Sequence, residues 1–139
     1  MRRYVHEAVV DTPPDKLWRA IVDVRRWPEW DEGLEAIELQ GELAPGRRYK
    51  LKPRGGPAVT MSVEAMEPPS RFVDLAHLPL AKMRGSHEFR AEPGGTRIRV
   101  TIEVWGPLGF LWDRVVARKV AQDAGAQTEA LVRFAERLS

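Results

Sequence analysis

The chain has 139 residues, of which 43% are hydrophobic and 30% are charged, so its length and composition are those of one globular domain with a buried core. It has no cysteine, which excludes disulfides, thiolate nucleophiles and thiolate metal sites. The 22 basic and 20 acidic residues leave a net charge of +2, which gives little electrostatic reason to expect nucleic acid as a partner.

The first elements predicted in chain order are a strand that ends at Val10 and an amphipathic helix that follows at once. Thr12 is placed to cap this helix, and prolines occupy its first positions. The buried stripe of the helix recurs at helical spacing and consists of Leu17, Ala20, Ile21 and Val24. Pro28 ends the helix, and Trp27 and Trp30 flank this proline where the chain bends.

The middle of the chain is predicted to form about six antiparallel strands at hairpin spacing. Their expected ranges are residues 35–40, 48–52, 59–65, 71–78, 83–92 and 96–105. The last strand has the clearest alternation, with an apolar face that consists of Ile98, Val100, Ile102 and Val104. One apolar and one polar face are typical of an antiparallel sheet that is covered on a single side.

A long amphipathic helix is predicted to cover that sheet. Gly106 and Pro107 end the last strand, and the residues from there to the C-terminus contain no further proline and carry an apolar stripe. The chain therefore forms a single α+β domain over residues 1–139, with about six to seven strands curled around the long helix and two short helices after the first strand.

Several motifs of this chain are similar to those of a known superfamily. They are the strand end Val9-Val10, residues 12–18, Asp23, the Trp27-Pro28-x-Trp30 turn, residues 106–109, and residues 129–136. With these motifs the chain resembles the START-like helix-grip superfamily (SRPBCC), which includes START lipid-transfer domains, pollen-allergen-type ligand carriers and polyketide cyclases. The resemblance is to the bacterial polyketide cyclase/dehydrase and lipid-transport branch, and it covers essentially the whole chain. It implies an internal pocket between the sheet and the long helix that holds a hydrophobic or amphipathic small molecule.

Strand alternation selects the residues expected to line this pocket. If Val73 and Leu75 point inward, His77 does too, and if Phe89 points inward, so do His87 and Met83. The predicted ligand-binding residues are Tyr49, Met61, Val63, Leu75, His77, Met83, His87, Phe89, Leu111 and Val115. Three tryptophans are candidates for the pocket rim, or alternatively fill the junction between helices and sheet: Trp27, Trp30 and Trp112.

His77 and His87 are the candidate catalytic residues. The pKa of histidine lies near neutrality, which suits the base that polyketide cyclisation would need. No carboxylate is in phase with these two residues to orient them, and an inward histidine is more often a hydrogen-bonded structural residue. His6, His77 and His87 match no metal-ligand spacing, so no metal and no other cofactor is expected.

Two further exclusions follow from the pattern. Arg48, Lys50 and Lys52 alternate on one strand and are interpreted as a solvated face, not a surface for nucleic acid or anionic lipid. No apolar run approaches the roughly 20 residues that span a bilayer, and no secretory signal opens the chain. A cytoplasmic protein without membrane insertion is therefore expected.

The function predicted from these observations is binding or transport of a hydrophobic small molecule: a lipid, an isoprenoid quinone or a polyketide-like compound. One alternative is an enzyme of the cyclase or dehydratase type that uses a pocket histidine. A second alternative is a protein-interaction module, such as the chaperone cofactors or ribosome-associated toxins of the same superfamily.

Overall fold

The computed structural model describes residues 1–138, which form a seven-stranded sheet and a layer of helices. The strands are β1 (Arg2–Val10), β2 (Leu34–Glu38), β3 (Arg48–Pro53), β4 (Val59–Glu67), β5 (Arg71–Leu78), β6 (Ala81–Glu92) and β7 (Gly95–Trp105). The α-helices are α1 (Pro14–Val22), α2 (Gly109–Trp112), α3 (Arg118–Gln122) and α4 (Ala124–Glu136). A 3₁₀ helix (Val24–Glu29) follows α1, and a π-helical turn (Asp113–Ala117) joins α2 to α3.

The sheet is antiparallel throughout, with strand order β1-β7-β6-β5-β4-β3-β2. Strands β2 to β7 therefore follow one another in sequence order, and β1 adds to the far edge beside β7. This is the predicted helix-grip architecture, and the fold class is confirmed. The predicted long C-terminal helix is present as α2, the π-helical turn, α3 and α4 in succession.

The inner face of the sheet, which packs against the helices, is set by the alternation of β7. Ile98, Val100, Ile102 and Val104 are all buried there. Opposite them on β6 lie Phe89, His87, Gly85 and Met83, so these four share the inner face. The β7 prediction is confirmed because its two faces differ so clearly in polarity.

The predicted phase of β5 is wrong. Asp74 pairs with Gly85, and Phe72 pairs with His87, so the inner face of β5 carries Phe72, Asp74, Ala76 and Leu78. Val73, Leu75 and His77 consequently point to the outer face. Phe72 and Val73 are both fully buried, one on each face. A central strand with apolar residues on both faces gives no alternation from which its phase can be determined.

Helix α1 and the 3₁₀ helix close one end of the core. Leu17, Trp18, Ala20 and Ile21 are buried in α1. Thr12 does not cap this helix as predicted, since Pro13 is the N-cap and makes no side-chain hydrogen bond. The hydroxyl of Thr12 instead donates to Glu136 Oε1 at 3.2 Å, which ties the start of α1 to the end of α4. Within residues 1–138, no helix is long and apolar enough to cross a membrane.

Candidate functional site

Three polar side chains of the inner face lie on the central strands of the sheet: Tyr49 of β3, Asp74 of β5 and His87 of β6. We call them the interior polar cluster. Tyr4 and His6 of β1 share this face at the edge of the sheet. Tyr49 pairs with Met61 across β3 and β4, and its hydroxyl donates a hydrogen bond to Asp74 Oδ2 at 3.1 Å. His87 is a diagonal neighbour of Asp74, because Asp74 pairs with Gly85 two residues away. Diagonal neighbours on one face are about 7–8 Å apart.

Gly85 makes room for the Asp74 carboxyl group. A Cβ atom built at Gly85 would lie 2.8 Å from Asp74 Oδ1, closer than such atoms approach in proteins. The glycine in the middle of a strand therefore marks a close approach, as strand glycines often do. It lets the carboxyl lie flat against β6 and accept a hydrogen bond from the Gly85 backbone N–H.

Burial determines the protonation states of Asp74 and Tyr49. It raises the pKa of Asp74 to about 7, although the hydrogen bonds from Tyr49 and from backbone N–H groups partly offset the increase. The pKa of Tyr49 is also raised, first by burial and then by the neighbouring Asp74. Near neutral pH the Asp74 carboxyl is therefore divided between its charged and neutral forms, and it can accept or release a proton.

His87 lies between Phe72 and Val100 on the inner face. Burial lowers the pKa of His87 to about 4, so the ring is neutral at physiological pH. Its Nδ1 atom is buried and has no hydrogen-bond partner among residues 1–138. The rest of the side chain is only half-buried. An unpaired buried ring nitrogen costs about 1–3 kcal/mol of desolvation, so its presence in a core calls for an explanation.

Aromatic rings form the wall beside the cluster. Trp27 makes edge-to-face contacts with Trp30, Tyr49 and Phe72 at centroid distances of 6.2–6.3 Å. The Trp27 indole donates to the backbone oxygen of Ile21, whereas Trp30 Nε1 is buried without a partner among the described residues. Both tryptophans belong to the core, and their assignment to a pocket rim remains a prediction.

Trp112 lies at the edge of the helical layer. It is half-buried, and its indole donates to the backbone oxygen of Pro79 in the β5–β6 turn at 2.8 Å. Its assignment to a pocket rim remains a prediction.

The structure brings together six of the ten predicted ligand-binding residues. The inner face carries Tyr49, Met61, Val63, Met83, His87 and Phe89. Leu75 and His77 lie on the outer face, for the reason given for β5. Leu111 and Val115 are 41% and 59% exposed on the outside of the helical layer, so they do not line the interior.

His77 is separated from His87 by the sheet. Its Nε2 atom forms a hydrogen bond with Ser62 Oγ at 2.8 Å. Partial burial and the nearby charges of Arg48 and Lys82 lower the pKa of His77. The two histidines lie on opposite faces of one sheet, so they cannot act on a common substrate.

Asp74 is the site residue that sequence reasoning missed. The expectation that no carboxylate shares the phase of the histidines fails for His87, since Asp74 lies on the same face. Two signals in the sequence pointed to it. Gly85 stands alone inside a strand, and residues 72–78 also alternate as Phe72, Asp74, Ala76 and Leu78.

Tyr49 and Asp74 of the cluster are buried, whereas His87 and the neighbouring Met83 are half-buried. Two small cavities adjoin the helical layer. One of about 160 Å³ is bordered by the N-terminus, the end of β7 and α2, and another of about 20 Å³ lies between β1, β7 and the helices α3 and α4. Pockets for small molecules usually measure about 300–1,000 Å³. Residues 1–138 contain no group of three acidic or histidine side chains that could hold a metal ion.

Comparison with known proteins places these observations in a family. A family model described as "Polyketide cyclase / dehydrase and lipid transport" matches residues 1–138. No curated protein sequence matches the chain.

Solved structures share the fold at low sequence identity. Protein MLL2253 from Mesorhizobium loti has a TM-score of 0.77 and 22% identity, over 99% of each chain. The Zhui aromatase/cyclase from Streptomyces sp. R1128 has a TM-score of 0.77 and 17% identity, over 98% of this chain and 94% of its own. Ara h 8.0201 has a TM-score of 0.75 and 19% identity, over 99% of each chain.

Proposed function

Because the chain belongs to the polyketide cyclase/dehydrase and lipid-transport family, we propose that it binds a hydrophobic small molecule between the inner face of the sheet and the helices. Membership of this family supports a ligand-binding or a cyclase role without deciding between them. The observation that carries the binding proposal is the buried Nδ1 of His87, which has no partner among residues 1–138, on the inner face of the sheet.

The chemistry of the inner face favours a mostly apolar ligand with one polar group. Met61, Met83 and Phe89 offer flexible and aromatic contacts, and methionine adapts its shape to irregular partners. A neutral histidine ring has one donor and one acceptor nitrogen. A ligand hydroxyl group can form a hydrogen bond with either nitrogen, and a ligand carbonyl group can accept one from the donor nitrogen. Phenols of polyketide type, isoprenoid quinones and lipids with a hydroxyl or carbonyl group all meet this description.

Binding can be tested by titrating the full chain with three probes: a hydroxyanthraquinone, a short-chain ubiquinone and oleic acid. Tryptophan fluorescence reports binding, because Trp27 and Trp30 line the same core. Native mass spectrometry of the purified protein identifies any ligand that is carried through purification. The proposal predicts saturable binding of one probe class at a stoichiometry of one.

The matched variants are His87→Leu and His77→Leu. Loss of one hydrogen bond at His87 should weaken binding about tenfold, which corresponds to about 1.4 kcal/mol. The same substitution at His77 lies on the opposite face and should leave the dissociation constant unchanged. If no probe binds, or if the two variants weaken binding equally, the inner face is not the site.

A second candidate function, polyketide cyclisation or dehydration, is favoured by Asp74. A buried carboxyl with a pKa near 7 is suited to general acid–base catalysis at neutral pH, whereas His87 with a pKa near 4 is a weak base. In this reaction Asp74 would remove a proton from the carbon between two ketone groups, and Tyr49 would hold the carboxyl in place.

This candidate is tested with a linear poly-β-ketone thioester and the variant Asp74→Asn. Turnover should fall at least about a hundredfold, as is typical for the loss of a general base, while the affinity for product-like phenols is retained. The plot of kcat/KM against pH should have an inflection near pH 7 in the wild type. Equal turnover of the two proteins would remove Asp74 from the reaction.

A further inference from the structure

One end of the molecule exposes a group of large apolar side chains: Leu80, Phe110, Leu111 and Val115. We call this group the apolar tip. The four side chains are exposed at 66%, 70%, 41% and 59%. Leu80 belongs to the β5–β6 turn, and the other three to α2 and the π-helical turn. Large apolar groups that cluster on a surface mark interaction sites more often than single ones do.

Two hydrogen bonds hold the turn and the helix together. The backbone N–H of Leu108 donates to the backbone oxygen of Leu80 at 2.9 Å, and the Trp112 indole donates to the backbone oxygen of Pro79 at 2.8 Å. Leu111 and Val115 are four residues apart and share one side of the helical segment, with Phe110 next to them. The hydrogen bonds therefore place the exposed residues of the turn and of the helical segment at the same end of the molecule.

Leu80 has an unusual backbone conformation for a leucine. Leu80 has a φ angle of 55°, in the left-handed region that glycine or asparagine normally occupies. The turns at Gly55 and Gly94 use glycine for such angles. A leucine here costs about 1–2 kcal/mol of backbone strain and also exposes an apolar side chain to water.

Basic residues follow the apolar tip along the chain. Residues 106–123 contain Arg114, Arg118 and Lys119 and two acids, Asp113 and Asp123, of which Asp123 forms an ion pair with Lys119 at 3.2 Å. Asp113 is 2% exposed and is bonded to the Tyr4 hydroxyl at 2.6 Å and to the guanidinium groups of Arg2 and Arg118. With Arg2, four basic groups therefore stand against two acids, which leaves a net positive charge beside the apolar groups.

We propose that the apolar tip docks on the surface of an anionic lipid bilayer. Phe110, Leu111 and Val115 would enter the boundary between headgroups and acyl chains, and the basic side chains would contact lipid phosphates. Apolar side chains flanked by lysine and arginine are the combination that binds such interfaces. Each basic residue near the surface adds affinity for anionic lipid.

A second copy of the chain fits this surface less well. A symmetric dimer through the tip would bring the basic residues of both copies into one interface, and like charges in proximity oppose association. Stable protein interfaces also use about 20–30 residues on each side, far more than the apolar tip offers.

The test is co-sedimentation of the full chain with vesicles of phosphatidylcholine alone or mixed with phosphatidylglycerol. The wild type should partition onto the mixed vesicles about tenfold or more better than onto neutral ones, and added salt should reduce this binding. The double variant Phe110→Ser/Leu111→Ser should lose at least about tenfold in partitioning. Arg114→Gln/Lys119→Gln should lose binding to the mixed vesicles only.

Val5→Ser/Val9→Ser is the matched control. These valines are 52% and 50% exposed on the outer face of β1, so the variant removes similar apolar surface elsewhere. It should bind vesicles as the wild type does, and circular dichroism checks that every variant is folded. His87→Leu should also bind vesicles normally, which separates docking from the proposed ligand site.

Three results would overturn the docking proposal. The first is equal partitioning of the wild type and Phe110→Ser/Leu111→Ser. The second is binding that does not depend on phosphatidylglycerol. The third is a dimer in size-exclusion chromatography that Phe110→Ser/Leu111→Ser converts to a monomer, which would assign the apolar tip to a protein interface.

Discussion

Two titratable residues on the inner face, Asp74 and His87, respond to pH in opposite directions. The pKa of Asp74 rises from 3.8 to about 7, so its stabilising contribution is complete below pH 3.8 and is lost as pH rises through 7. The pKa of His87 falls from 6.5 to about 4, so its contribution is complete above pH 6.5 and is lost as pH falls through 4. Between these limits the two effects nearly cancel in the wild type.

Single variants should expose each effect. Between about pH 4 and pH 6.5, the free energy of unfolding of Asp74→Asn should rise with pH relative to the wild type, by about 1.4 kcal/mol per pH unit. That of His87→Leu should fall with pH relative to the wild type, with a similar slope. Urea unfolding at a series of pH values measures both differences. Curves that run parallel to the wild type would mean that neither group titrates with a shifted pKa.

At the scale of single elements, β7 and β5 differ in what the sequence could predict. The polar and apolar residues of β7 alternate without exception from Arg97 to Val104, and burial of the apolar face follows directly. In β5, Phe72 and Val73 are both buried because the strand lies in the middle of the sheet. The phase of β5 depends on its pairing with β6, which no local pattern contains, and with it the placement of Asp74 and His77.

The start of α1 is a second feature that the local sequence could not predict. Thr12 has the residue type of a cap, but its hydroxyl is committed to Glu136, and its backbone oxygen accepts a hydrogen bond from Thr96 at 2.7 Å. Both partners are distant in sequence. Helix α1 forms where its apolar stripe predicted it, but it ends at Val22 and not at Pro28, because Val24 and Pro28 belong to the 3₁₀ helix. The contact at the start of α1 depends on tertiary structure.

The pairing of β5 with β6 can be tested at Gly85. In Gly85→Ala the new methyl group meets the Asp74 carboxyl, and we expect a loss of about 1–3 kcal/mol in the free energy of unfolding. In an Asp74→Ala background there is no carboxyl for the new methyl group to meet. Gly85→Ala should then leave the free energy of unfolding unchanged or raise it slightly. A double-mutant cycle by chemical denaturation measures this coupling. An equal loss in both backgrounds would show that the carboxyl does not lie against Gly85.

At the scale of the whole molecule, the helical layer is joined to the rest by a few separate hydrogen bonds. Tyr4 on β1 donates to Asp113 in the π-helical turn, and Trp112 donates to Pro79. Gln127 of α4 donates to Asp31 Oδ2 at 2.8 Å. Tyr49 and Asp74 are buried beneath this layer, so a ligand that contacts them has to displace part of it, and the segment from α2 to α3 has few buried residues.

Ligand association should therefore be limited by opening of the helical layer. In stopped-flow fluorescence with a bound probe from the titrations, the observed rate should level off as probe concentration rises. Tyr4→Phe removes the hydrogen bond to Asp113 and should raise this plateau about tenfold or more, since the net value of such a bond to a charged group is about 1.5–3 kcal/mol. Arg97→Gln, which breaks ion pairs with Glu7 and Glu92 on the sheet, is the control and should leave the plateau unchanged. A rate that rises linearly to the highest probe concentration, with Tyr4→Phe no faster than the wild type, would mean that the ligand reaches its site without movement of the helices.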